Sequence, residues 1–236
     1  MGRVFEKRKY KMFARYDKMA KAFTRIGKEI AIAVKQGGPD PGGNPRLRTA
    51  VLNAKAVNMP KDRVDAAIKR ASSKEENNYE ETMYEGYGPN GVAILLECAT
   101  DNPTRTVANV RMYFNRGGGA LGKTGSLDFV FHRKGLFKFD PTGIDLEELE
   151  LELIDFGLDD IATDEEGIGY IYTEFQDFGG MQKVLEEKGL KIISAELTRI
   201  SMSQVEVSEE VENEILEMVE KMEADDDVQH VYHNLK

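Results

Sequence analysis

GGGALGKTGS, residues 117–126, is the stretch on which the fold turns. Gly117, Gly122, Lys123 and Thr124 match the phosphate-loop pattern letter for letter. A true phosphate loop would make this a nucleotide-binding α/β protein. Such a loop follows a strand and opens a helix, because the amides and dipole of the helix N-terminus complete the cradle. The flanks here run the other way. Upstream, DNPTRTVANVRMYFNR (101–116) reads as a helix, with Asn102 as cap, Pro103 in the first position and Val107, Val110, Met112 and Phe114 turned inward. Downstream, SLDFVFHR (126–133) alternates Leu127, Phe129 and Phe131 as a strand would. The loop therefore joins a helix to a strand, and Gly117–Gly119 read as a helix stop with positive φ angles. No nucleotide or other cofactor is expected, and the fold class moves to α+β.

Working outward, ETMYEGYGPNGVAILLECAT (81–100) holds two extended runs around a Gly-Pro-Asn-Gly turn, the second dense enough to be a buried strand. Residues 135–199 supply GLFKFD as a strand, DLEELELELIDFG as a helix, LDDIATD and GIGYIYTEFQ as strands, DFGGMQKVLEEKG as a helix and LKIISAELTRIS as a strand. That order, βαββαβ, is ferredoxin-like. The tail adds a strand SQVEV (203–207), a helix opened by Ser208 and a strand VQHVYHNL (228–235). The block 79–134 lacks one helix–strand unit and the tail supplies it. The expectation is a discontinuous middle domain of 79–134 plus 201–236, with an acidic domain of 135–200 inserted into it.

The first 76 residues read as a helical domain. In a helix over 12–35, Met19, Phe23, Ile26, Ile30 and Ala33 recur on one face, and Lys11, Lys18, Lys21, Arg25 and Lys28 on another. QGGPDPGGNP (36–45) ends that helix. Asn44-Pro45 opens a second helix, burying Leu47, Ala50, Val51 and Ala54 and leaving Arg46, Arg48 and Lys55 outside. Asn58-Met59-Pro60 repeats the device before a third helix, with Val64, Ala67, Ile68 and Ala71 inward and Lys61, Arg63, Lys69 and Arg70 outward. SSKEENN (72–78) is a polar linker.

Charge divides along the same line. The chain has a net charge of −10, yet residues 1–75 carry 19 Lys and Arg against 7 Asp and Glu. A basic head on an acidic body points to a phosphate-bearing partner. The helix starts at Pro45 and Pro60 add donors for phosphate. No apolar run is long enough for a membrane span, and the start shows neither a secretory nor a myristoylation pattern. A single Cys98 fits a reducing compartment, so the expected location is the cytoplasm. Cys98 ends a buried-looking strand and reads as a packed thiol. His230 and His233 lie three apart on a strand and face opposite ways, so no metal site is expected. With His132 they complete a poor catalytic inventory, and the chain reads as a non-enzyme.

GGPDPGGNPRLRTAVLNAKAVNMPKDRVDAAIKRA (37–71), YEGYGPNGVAILLECATDNPTRT (84–106) and GGGALGKTGSLDFVF (117–131) together resemble the YebC/PmpR family, which includes mitochondrial translational activators. The resemblance implies a helical first domain and two α+β domains, one interrupted by the other. Two departures stand out. The family's usual GHSKW opening is replaced by MGRVFEKRKYKMF, so any role of that Ser-Lys-Trp does not carry over. Lys123 replaces a residue that is often acidic or polar, which creates the accidental phosphate-loop match. Family members are described as DNA-binding transcriptional regulators, and others as ribosome-associated factors that relieve stalling at proline-rich stretches. Both need a cationic surface, for which the candidates are Lys18, Lys21, Arg25, Lys28, Arg46, Arg48, Lys55, Lys61, Lys69 and Arg70.

Overall fold

The computed structural model describes residues 3–73 and 78–236, with side chains from residue 18 onward. The side chain of Lys11 and linker residues 74–77 fall outside that description. The first helix, α1, is longer than its apolar period indicated and spans Arg3–Gly37. It packs against α2 (Pro45–Ala56) and α3 (Lys61–Ala71). Ile26, Ile30, Ala33 and Val34 of α1 meet Leu47, Ala50 and Ala54 of α2 and Val64 and Ala71 of α3. The small alanines let the helices approach closely. Asn44 closes the start of α2: its side chain accepts from Leu47 N (3.1 Å) and donates to the Ala33 and Gly38 carbonyls (2.8 and 2.9 Å).

Two four-stranded antiparallel sheets follow. The first comprises β1 (Glu80–Tyr87), β2 (Ala93–Thr100), β3 (Ala120–Leu121) and the C-terminal β8 (Val228–His233), in the order β3-β1-β2-β8. Helices α4 (Pro103–Arg116) and α7 (Glu209–Glu223) cover one face, burying Val110, Phe114, Ile215, Met218 and Met222 against Ile94, Leu96 and Cys98. The second sheet comprises β4 (Phe131–Phe139), β5 (Leu158–Thr163), β6 (Gly169–Glu174) and β7 (Ile192–Ser201), in the order β5-β6-β4-β7. Its helices α5 (Leu146–Leu153) and α6 (Phe178–Glu187) lie on one face over Phe137, Phe139, Ile171 and Ala195. This is the split-βαβ arrangement that the element order implied. The second sheet interrupts the first, whose last strand is supplied by the C-terminus.

Two expected strands are corrected. Residues 124–130 form consecutive turns, and the strand starts only at Phe131, as part of the second sheet. The apparent alternation there is a turn pattern: Leu127, Val130 and Phe131 cover Ala93 and Leu95 on the open face of the first sheet, while Phe129 is 74% exposed. The 203–207 segment makes one parallel bridge, Val205 to Leu235, and no strand.

Candidate nucleic-acid interface

The cationic stripe of α1 divides in two. Lys18 and Lys21 are exposed. One helical turn on, Arg25 donates to the Glu223 carbonyl at the end of α7 (3.0 Å). Lys28 is 8% exposed and faces no solvent-borne partner. Its ammonium donates to the Ala99 carbonyl (2.8 Å), the Asp226 carbonyl (2.7 Å) and Asp227 Oδ1 (3.1 Å). Asp227 Oδ2 also accepts from Arg105 Nη2 (2.7 Å) and the Thr106 hydroxyl (2.9 Å). Burial raises the Asp227 pKa, but the bonds from Arg105, Lys28 and Thr106 outweigh it and hold the carboxyl below its ordinary value. Lys28 is therefore an anchor between domains and not a nucleic-acid contact. Periodicity put it on the polar face correctly, but its acidic partner stands 199 residues away.

Helix α2 is also partly committed. Arg46 forks onto Glu81 (Nη2–Oε1 2.5 Å, Nη1–Oε2 3.0 Å) and reaches Gln36 Oε1 (2.8 Å). Arg48 lies 3.7 Å from the Glu186 carboxylate of α6. Between them the helix docks on edge strand β7: Asn53 donates to the Ala195 carbonyl (2.8 Å) and accepts from its amide (3.0 Å). Leu52 packs against the core of the second sheet. The side-chain amide thus satisfies backbone groups that an edge strand would leave open.

Lys55, Lys61, Lys69 and Arg70 remain exposed. Helix α3 runs beside α1 in the same direction. At one end the Arg63 guanidinium lies 5.7 Å from the centre of the Phe23 ring, and at the other Lys35 donates to the Ser73 carbonyl (3.4 Å). The first turn of α3 is therefore level with the part of α1 that carries Lys21, and its last turn is level with Lys35. Lys35 is an exposed cation that the sequence reading passed over, because it belongs to the helix's closing turn and not to the stripe. The two helix starts differ in what they leave open for a phosphate. Asn44 occupies that of α2, whereas Pro60 supplies no side-chain cap to α3.

The glycine loop is occupied from within. Gly117 caps α4, and among Gly117–Gly119 only Gly118 has a positive φ (71°). Gly119 is needed for a different reason, since a Cβ there would collide with the Tyr87 carbonyl oxygen. Beyond β3, the amides of Gly125 (2.8 Å) and Leu127 (2.7 Å) and the Ser126 hydroxyl (3.2 Å) all point at the Glu85 carboxylate. Glu85 is 1% exposed. A nest of amides is present, but its anion is a side chain of β1.

Cys98 is buried, and its thiol is pushed up to about 12 by burial and by Asp225 and Asp227. That fits a packed thiol. His233 is lowered by burial, and its Nδ1 has no hydrogen-bond partner. Among the described residues no helix is long and apolar enough to cross a membrane.

A three-helix head carrying a set of exposed cations, joined to two interleaved α+β units, defines the multidomain class. The chain belongs to the TACO1/YebC family: residues 3–74 match the TACO1/YebC protein N-terminal domain, and residues 79–235 match the TACO1/YebC second and third domain. A "probable transcriptional regulatory protein" of Cytophaga hutchinsonii is 61% identical over 235 residues, covering 100% of this chain and 98% of that one. A protein of the same description from Myxococcus xanthus is 53% identical over 242 residues, covering 100% of both chains. The crystal structure of a conserved hypothetical protein from Aquifex aeolicus superposes with a TM-score of 0.80 at 36% identity, covering 92% of this chain and 90% of that one.

Proposed function

We propose that this protein is a nucleic-acid-binding regulator of gene expression that works in the cytoplasm and holds DNA by its phosphates through the helical domain. The observation that carries this reading is the set Lys18, Lys21, Lys55, Lys61, Lys69 and Arg70, all exposed on the helical domain of a chain that is otherwise acidic. Exposed ammonium groups bind phosphate by releasing counterions, which gives affinity without sequence preference. The relatives described as probable transcriptional regulatory proteins support transcription as the process.

One observation favours a second reading, a ribosome-associated translation factor. The exposed face of α3 offers Lys61, Asp62, Arg63, Asp65, Lys69 and Arg70. It contains no Asn or Gln of the kind that reads adenine edges, and its cations suit phosphate gripping. Binding of labelled protein to random duplex DNA and to ribosomes, across a salt titration, tests both readings. Changing Lys61, Lys69 and Arg70 to Gln should reduce the salt slope by about one per lost phosphate contact. Equal binding by parent and variant at every salt concentration would end the helical-domain reading. Retention on ribosomes above ~150 mM salt, where duplex DNA is released, would select translation.

A further inference from the structure

The pairing of β8 with β2 contains a bulge. Glu97 faces His230 and Cys98 faces Val228, so Gln229 is an extra residue in the strand. A bulge bends its strand and re-aims a side chain. The result is that two consecutive residues, Gln229 and His230, line the same cavity of about 600 Å³, where the helical domain and both sheets meet. Gln229 is 7% exposed, and neither Oε1 nor Nε2 has a hydrogen-bond partner. The Thr82 hydroxyl on the same wall is also buried and unpartnered. Leaving an amide in this state costs roughly 1–3 kcal/mol, so the arrangement is kept against stability.

The charges of the cavity are unequally matched. Arg46 is engaged by Glu81, and Arg199 by Glu97 (2.8 Å). Arg133 stacks on Phe175 with its guanidinium 4.0 Å from the ring centre. Glu29 and Glu196 also line the cavity, and neither forms an ion pair with a cation among the described residues. Burial pushes the Glu29 carboxyl up; Glu196 and Glu81 add to the rise, and His230 and Arg46 oppose it. Among the described residues no group of three or more His, Cys, Asp or Glu is placed to hold a metal ion. Ile32, Phe178 and Leu197 supply an apolar wall beside these groups. The volume lies within the range of small-molecule sites.

We propose that this junction binds a small aliphatic di- or polyamine, with its ammonium groups paired to Glu29 and Glu196, its N–H groups donated to Gln229 Oε1 and the Thr82 hydroxyl, and its methylenes lying along Ile32 and Leu197. Such a ligand neutralises two carboxylates and ties three domains to one another. Isothermal titration of the full chain with putrescine and with spermidine, at about 150 mM salt, tests it. The expected result is saturable one-to-one binding of at least one of them. Gln229→Met changes no charge and removes an unpartnered amide; it should weaken binding about tenfold or more while the free protein is as stable as the parent or more so. Thr82→Val is a second neutral variant with the same expectation, and Glu29→Gln should also weaken binding. Glu209→Gln, on the exposed first turn of α7, should leave it unchanged. Absence of saturable binding of both amines up to ~10 mM would overturn the proposal. So would binding that Gln229→Met and Thr82→Val leave intact, which would place the amine on the outer acidic surface.

Discussion

Replacing Lys28 with Met separates the two halves of the α1 stripe most sharply. The substitution keeps the length and apolar stem of the side chain but removes the three hydrogen bonds to Ala99, Asp226 and Asp227. Removing one partner of a buried ion pair costs about 3–5 kcal/mol, because the other charge stays buried. Asp227 keeps Arg105 and Thr106, so the lower end applies, about 3 kcal/mol. At this chain length that corresponds to a fall in Tm of roughly 6–12 °C. The chain contains no Trp, so unfolding is best followed by far-ultraviolet circular dichroism. Lys21→Met, on the same stripe but exposed, should stay within about 0.5 kcal/mol of the parent. The pH dependence has a definite sign. Asp227 has a depressed folded pKa, so its contribution is complete above the unfolded value of about 3.9 and is lost as pH falls through the lower folded value. The difference between parent and Lys28→Met should therefore hold at neutral pH and shrink only in acid below that point. If Lys28→Met and Lys21→Met gave the same small change at neutral pH, the anchor assignment would be refuted.

Three further outcomes follow from the same contacts. Glu85→Ala strips the acceptor from two amides and a hydroxyl, and should cost about 4–5 kcal/mol in urea denaturation, since three hydrogen bonds to a charged group contribute, at the lower end, about 1.5 kcal/mol each. Magnesium-ATP should not raise Tm in the parent, because the amides of that loop already hold Glu85; a saturable rise would restore the phosphate-loop reading. Cys98 should resist a thiol reagent at pH 8 in the native protein and react once urea unfolds it, so fast native labelling would contradict a thiol pushed up to about 12.

What the sequence disclosed and what it withheld follow a physical division. The helical stops at Asn44-Pro45 and Asn102-Pro103 were legible because capping is local, and both Asn side chains accept the expected amide, at Leu47 and Arg105. The βαββαβ order was legible because period and turn chemistry act over a few residues. The segment 126–133 misled because alternation of Leu127, Phe129 and Phe131 suits a strand as well as a chain of turns that covers a sheet. Only the fold shows that Leu127 has a floor to lie on and Phe129 has none. Four of the ten cationic candidates, Arg25, Lys28, Arg46 and Arg48, turn inward for the same reason. Helical period assigns a residue to a face, but what covers that face is decided by β8 and α7, far along the chain. The bulge at Gln229 was equally out of reach, since it depends on the register between two strands more than a hundred residues apart.

The charge asymmetry can now be assigned between two duties. Arg25, Lys28, Arg46 and Arg48 turn toward the acidic body, onto the Glu223 carbonyl, Asp227, Glu81 and Glu186. Lys18, Lys21, Lys55, Lys61, Lys69 and Arg70 turn outward. A basic head and an acidic body in one chain attract each other, and these inward pairs realise that attraction at defined points. The exposed pairs contribute little individually, about 0–1 kcal/mol, and are screened by salt. The buried Lys28–Asp227 pair is largely insulated from salt. Raising the salt concentration should therefore release a nucleic-acid partner well before it loosens the seat of α1 on the first sheet. A helix is stiff along its axis, so the outward cations of α1 keep the orientation that Lys28 sets. Lys28→Met should accordingly reduce affinity without changing the salt slope, because it disturbs orientation and removes no phosphate contact, whereas Lys21→Gln should lower the slope by about one. A reduced slope in Lys28→Met would return that lysine to the binding surface.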